Sequence, residues 1–182
     1  MKYTLLELTQ NIASSMDSDD ISTILESVES KQIVNVIKTA YYDLVTRAKL
    51  PEHYSMKNLT ESTNTLQPVI MTIPSDVSEI KWVKYDNASL TDTDVQMHLV
   101  EYLPIQSFMD RMDLMDETGA NIDSFTYTTA NSDTFKILYW NDRHPRYYSS
   151  IDDSTLIFDS YDNTVDTILA SSKTRAYCRL TI

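Results

Sequence analysis

Five aspartates and three tyrosines crowd the stretch PRYYSSIDDSTLIFDSYDNTVDTILASS, residues 145–172. Asp152, Asp153, Asp159, Asp162 and Asp166 are the residue type that ligates divalent cations, works in acid–base pairs, or builds turns. A calcium loop of the EF-hand kind needs ligands at alternate positions, a central glycine and a closing glutamate. DSYDNTVD has none of the three. A carboxylate pair for glycoside hydrolysis is compatible with the spacing, yet nothing in the flanking sequence marks one acid as buried with a raised pKa. Turn chemistry accounts for more. SIDD and DSYDN flank the strand-like STLIF with short polar side chains that bond to nearby backbone. Asp166 is placed to cap or begin a short helical turn in TVDTILASS.

The other candidate residues are isolated. His53, His98 and His144 are far apart and no pair has the helical spacing of metal ligands, so they read as polar surface or strand residues. Cys178 is the single cysteine. That excludes an intrachain disulfide and a Cys-cluster zinc site. Its alternation with Ala176, Leu180 and Ile182 predicts burial as a small apolar side chain rather than an activated thiol. Glycine occurs once, at Gly119. Phosphate loops and dinucleotide fingerprints need several glycines for close backbone approach, and a nucleophile elbow needs two, so all three are excluded. Met109, Met112 and Met115 read as core packing on a helix, with Asp110, Arg111, Asp113 and Asp116 on its wet side.

These residues must be positioned by a chain of 182 residues with a formal net charge of −12. Such an acidic chain does not hold DNA by itself, since strong non-specific binding needs lysines and arginines that displace counterions. No apolar run approaches the roughly 20 residues that span a bilayer. Glu7, Gln10 and Asn11 interrupt what would be a signal-peptide core in MKYTLLELTQNIASS. The expectation is a protein that stays in the compartment where it is made.

The periodicity predicts an α+β chain: N-terminal α-helices, then a mainly antiparallel β domain, sandwich or barrel-like, with one inserted helix at about 104–116. Residues 1–50 are read as helical, 51–66 as a connection and 67–182 as the β-rich domain. Thr4 stands three before Glu7 in a capping-box spacing, ahead of Leu5, Leu8 and Ile12 on one face. MDSDD breaks that helix. A second helix runs from near Ser27 to about Lys49, with Ile33, Val34, Ile37, Tyr41, Leu44, Val45 and Ala48 along one stripe, and Pro51 stops it. PVIMTIP, EIKWVKYD, MHLVEYLP, SFTYTT, FKILYW, TLIFDS and TRAYCRLTI read as strands. In EIKWVKYD, alternation puts Ile80 and Trp82 on one face and Lys81, Val83 and Tyr85 on the other. In the inserted helix Ile105, Phe108, Met112 and Met115 share a face, with Pro104 in the first turn.

Two blocks carry a family resemblance. PRYYSSIDDSTLIFDSYDNTVDTILASSKTRAY resembles a signature block of podophage neck proteins. ISTILESVESKQIVNVIKTAYYDL resembles the helical start of the same group, where a helix ends in a Tyr-Tyr-Asp-Leu run. These are the head-to-tail adaptors similar to tail tubular protein A of short-tailed phages. The blocks cover about a third of the chain, at its two ends, with a β-rich middle between. The resemblance implies a structural virion protein of the neck, made in the host cytoplasm, with no catalytic residues, cofactor or metal. It implies a homo-oligomeric ring, commonly a dodecamer, between the portal protein and the tail nozzle protein, through which DNA passes without specific binding. On this reading the assembly interface is expected at Tyr41, Tyr42, Tyr147, Tyr148, Asp152, Asp153, Asp159, Tyr161 and Asp162. An acidic wall repels phosphates and lets the duplex slide.

Two rival classes remain open at the level of sequence. One is a β-sandwich glycan- or receptor-binding module of a phage tail, with Trp82, Trp140, Tyr147 and Tyr148 as its platform. The other is a metal-dependent hydrolase using the acids between Asp152 and Asp166.

Overall fold

A computed structural model describes residues 3–16, 21–24, 26–48, 51–88, 94–129 and 132–181. The expected turn in MDSDD, the helix end at Lys49 and the alternation at Ile182 therefore lie wholly or mostly outside the described residues. The chain divides into two compact units, Met1–Pro51 and Glu52–Ile182.

The first unit is a pair of helices, α1 (Leu5–Ser15) and α2 (Val28–Arg47). The capping box legible in TLLE forms: Thr4 Oγ1 accepts from the Glu7 N–H at 3.2 Å, and the Thr4 N–H donates to Glu7 at 2.6 Å. Ser27 and Ser30 make the same reciprocal cap on α2, serine replacing the usual glutamate. Ala13, Ile21 and Ile33 are buried together, with Leu6 and Ile37 packed against them. That cluster reaches no further along α2 than Ile37. Helix length explains why: α1 is the shorter partner, and at a fixed rise per residue it covers only part of α2. The predicted stripe thus splits. Val34 and Val45 are buried, whereas Tyr41 and Leu44 are 50 % and 59 % exposed.

The second unit is an eight-stranded sheet in the order β1-β10-β4-β5-β8-β9-β3-β2. Its strands are β1 (Tyr54–Lys57), β2 (Thr60–Glu61), β3 (Ile70–Thr72), β4 (Val77–Asp86), β5 (Met97–Tyr102), β8 (Tyr147–Ser150), β9 (Thr155–Phe158) and β10 (Thr174–Leu180). The edge strands β1 and β2 are separated in the chain only by Asn58 and Leu59. The sheet must therefore curl until its ends meet. Hydrogen bonds fasten the seam: the Leu59 N–H donates to Thr174 Oγ1 at 2.9 Å, and Glu61 and Ser171 exchange two bonds at 2.8 and 2.9 Å. Residues 51–66, read from sequence as a connection, thus supply both sheet edges. The strand segments there are too short and too polar to show a period.

All strand ladders among the described residues are antiparallel except β5 with β8. A parallel pair needs a long crossover, and residues 103–146 provide it. They hold α3 (Ile105–Asp113) and the hairpin of β6 (Ile122–Thr128) and β7 (Thr134–Trp140). Phe108 and Met112 of α3 are fully buried in the main core, among Val83, Tyr85, Ile137, Ile157 and Phe158. Ile105, expected on that face, is 42 % exposed, and Met109 takes the inner position. Gly119 sits in the turn before β6, where a Cβ would come within 3.0 Å of the Asp116 carbonyl oxygen.

Alternation fails in β4 for a local reason. The register with β10 slips between Tyr177 and Cys178 and again between Arg179 and Leu180. A bulge resets which side chains face inward. Ile80 thereby joins Val77, Val83 and Tyr85 toward the core, and Trp82 turns outward against Tyr177. The strand expected to put Ile80 and Trp82 on one face puts them on two.

Candidate functional site

The acidic stretch folds as β8, a turn, β9 and a longer loop leading to β10, and its aspartates have separate roles. Asp152 builds the β8–β9 turn: Oδ1 accepts from the Ser154 N–H at 2.8 Å and from Ser154 Oγ at 2.9 Å, and Oδ2 accepts from the Tyr127 hydroxyl at 3.1 Å. Partial burial works against its charge, but these hydrogen bonds outweigh it and hold its pKa below the ordinary carboxylate value. Asp153 is exposed. Asp162 opens the following loop, accepting from the Thr164 N–H at 2.9 Å and from Thr164 Oγ1 at 2.6 Å. Its other oxygen lies 3.9 Å from His144 Nε2. Asp166, expected to begin a helical turn, instead accepts from Lys173 Nζ at 2.7 Å; the turn belongs to Asp162, whose carbonyl takes the Asp166 N–H at 3.0 Å.

Asp159 departs most from expectation. Its neighbours FDSYD read as a surface turn, yet it is 2 % exposed. Oδ1 accepts from the N–H of Arg146 at 2.9 Å, the N–H of Tyr147 at 3.0 Å and Ser160 Oγ at 3.2 Å. Its own N–H donates to the Tyr147 carbonyl, and its carbonyl accepts from the Trp140 N–H. One residue thus ties β7, the entry to β8 and the end of β9. Burial pushes its pKa up, against the hydrogen bonds that favour the charged form.

The tyrosines likewise separate. Tyr148 is 4 % exposed and stacks on Phe158, with its hydroxyl pKa pushed up to about 12 by burial; it is a core residue, not an interface residue of the free chain. Alternation puts Tyr147 on the other face of β8, where its ring packs half-buried under the Arg111 guanidinium at 4.4 Å. Tyr161 packs half-buried on Tyr139 at 5.8 Å. Tyr41 and Tyr42 belong to the helical unit, half-exposed and in edge contact at 5.8 Å. Seven of the nine expected interface residues therefore share the β unit, of which Tyr148 and Asp159 are buried.

Among the described residues no group of three or more His, Cys, Asp and Glu side chains is placed to hold a metal ion. His144 is held below its ordinary pKa by burial, against the pull of Asp162. Cys178 is fully buried, and burial raises its thiol pKa to about 11. A cleft of about 370 Å³ opens between the start of β4 and the ends of β5, β8 and β9, with Ile73, Val77, Ile80, Tyr148 and Leu156 as apolar walls. Of the five aspartates only Asp153 lines it. The aromatics named for a glycan platform have occupied faces. Lys84 lies over Trp82 at 5.3 Å, Arg143 over Trp140 at 4.0 Å and Arg111 over Tyr147, while Tyr148 is buried.

Sequence reading missed β8, because YYSS is short and half of it pairs through a parallel contact. It also missed Arg111, assigned to solvent on α3 but reaching Tyr147. No helix among the described residues is long and apolar enough to cross a membrane. No protein-family model, curated protein or solved structure matches the chain.

Proposed function

We propose that this chain is a head-to-tail adaptor of a short-tailed phage, a structural virion protein that assembles as a ring between portal and tail nozzle. The observation that carries the reading is the fate of the acidic tyrosine stretch. Asp152 and Asp162 build turns, Asp166 pairs with Lys173, and Asp159 fastens backbone amides. Only Asp153 reaches the cleft, and no second carboxylate of the stretch joins it there. The helical unit followed by a curled β unit is the order that the resemblance implies. Tyr41, Tyr42 and Leu44, half-exposed or more on α2, offer the aromatic and aliphatic area that subunit interfaces use. A net charge of −12, repeated around a ring, supports passage of a duplex without adhesion.

Electron microscopy of the chain mixed with the portal protein of the same phage tests this. The expected image is a closed ring of the chain stacked on the portal. Failure to form rings alone and on the portal sinks the reading.

A further inference from the structure

The outer face of the curled sheet carries an electrostatic mismatch. Arg175 on β10 and Lys84 on β4 are directly opposed in the antiparallel register. Like charges at opposed positions destabilise a sheet. Neither side chain has a carboxylate partner among the described residues. In a chain with 27 acidic and 15 basic residues, this is not for want of acids. Beside the two cations runs a ladder of stacked rings, Tyr54 on Tyr177 at 5.5 Å and Tyr177 on Trp82 at 5.8 Å. Met56, opposite Tyr177, and Leu99, opposite Lys84, are 49 % and 62 % exposed. The face is thus aromatic and partly apolar across β1, β10 and β4, with its cations on β10 and β4, Lys84 lying over the Trp82 ring at 5.3 Å, and the exposed Glu101 at its β5 margin.

The opposite side has the complementary sign. In the eight-strand order β9 stands four places from β10, and the two ends of that order meet. The two strands therefore lie across the curl from one another. Asp153 is exposed at one end of β9. At its other end, bridges of Trp140 with Ser160 and of Asp142 with Asp162 attach the β6–β7 hairpin, which adds the exposed Asp123.

We infer that the cationic aromatic face on β1, β10 and β4 of one copy docks on the acidic β9 side of the next. This rests on the adaptor reading and specifies its subunit junction. Two different patches on opposite sides of a subunit make a head-to-tail contact, which closes into a ring when the rotation permits. Opposed potentials steer the encounter and fix its register. The surplus of acid that repels DNA would, on this one side, neutralise Arg175 and Lys84 of the neighbour.

Sedimentation velocity at low and high salt, on three full-length forms, tests the junction. One variant carries Lys84→Glu with Arg175→Glu, the other Asp123→Lys with Asp153→Lys. Wild type self-associates, less so at high salt. Each variant alone associates about tenfold more weakly or worse. An equimolar mixture of the two regains association, because each supplies the patch that the other has lost. Recovery requires both variants to be folded, so a folding defect cannot imitate it. Variants that assemble like wild type, or a mixture that stays as weak as its parts, overturn the junction and leave the adaptor reading standing. Charge-dependent association that gives only open filaments, alone and on the portal, overturns the adaptor reading and leaves the junction. A single-stranded oligonucleotide that binds wild type and not the first variant, with no self-association, overturns the junction in favour of a nucleic-acid face.

Discussion

Asp159 holds a carboxylate inside the β unit without an ion pair among the described residues, on three hydrogen bonds to one oxygen. Two consequences separate charge from hydrogen bonding. Asp159→Ala strands two part-buried backbone N–H groups, of Arg146 and Tyr147, where a fully buried unsatisfied donor would cost about 1–3 kcal/mol. Asp159→Asn keeps an acceptor oxygen and loses the buried charge, so it destabilises less than the alanine, measured by urea denaturation. The second consequence is pH. Burial raises the folded pKa, so between the ordinary and the raised value the native chain keeps a proton that the unfolded chain has released. Stability from this residue is therefore present at low pH and is lost as pH rises through that window. The melting temperature of Asp159→Asn, relative to wild type, should climb as pH goes from below that window to neutrality. A constant or falling difference would refute the assignment. None of this was legible in FDSYD, because the donors come from residues 12 and 13 positions earlier and meet Asp159 only in the folded unit. Asp152 was legible as a turn residue because Ser154, which closes that turn on it, lies two residues away, whereas its bond from Tyr127 was not.

Elements were readable where the signal is local. The cap at Thr4 and the period of α2 placed the start of α1 and both ends of α2 within a residue or two. Cys178 and Ala176 fell on the buried face of β10 as alternation requires. Reading failed where tertiary pairing decides. The bulges opposite β10 reversed Ile80 in β4, and the short β1, β2 and β8 owe their existence to neighbours far away in the chain. The inserted helix shows both sides of this. Its period found Phe108 and Met112, and Met109 and Met115 pack against the core as expected, yet Ile105, expected on the same face, is exposed. If α3 is anchored chiefly through Phe108, then Phe108→Ala destabilises the protein by about 3–5 kcal/mol. Leu114→Ala, at a position 88 % exposed, stays within about 0.5 kcal/mol of wild type. Chemical denaturation of both variants checks the contrast, and equal effects would mean that the α3 packing is misplaced.

At the scale of the molecule the two units differ in what holds each of them. The β unit buries Phe108, Ile137, Ile157, Phe158 and Val83 in one continuous core, sealed at the seam by Thr174 and Ser171. Among the described residues the helical unit gathers Ala13, Ile21 and Ile33 into one small buried cluster, which Val34 and Val45 do not join, on helices of 11 and 20 residues. Isolated helices shorter than about 12–15 residues are marginal in water, because nucleation fixes several dihedrals for one hydrogen bond. So small a core cannot offset that cost, whereas the β core can hold its own sheet. Residues 52–182 expressed alone should therefore melt cooperatively, with the near-ultraviolet signal of packed tyrosines. Residues 1–51 alone should show partial helix content and a broad, non-cooperative melt. A helical unit that marginal leaves Tyr41, Tyr42 and Leu44 free to be ordered by a partner, and its helix content should rise if the chain assembles as proposed. A sharp melt for residues 1–51 in isolation would remove the basis for that coupling and make the helical unit a preformed arm.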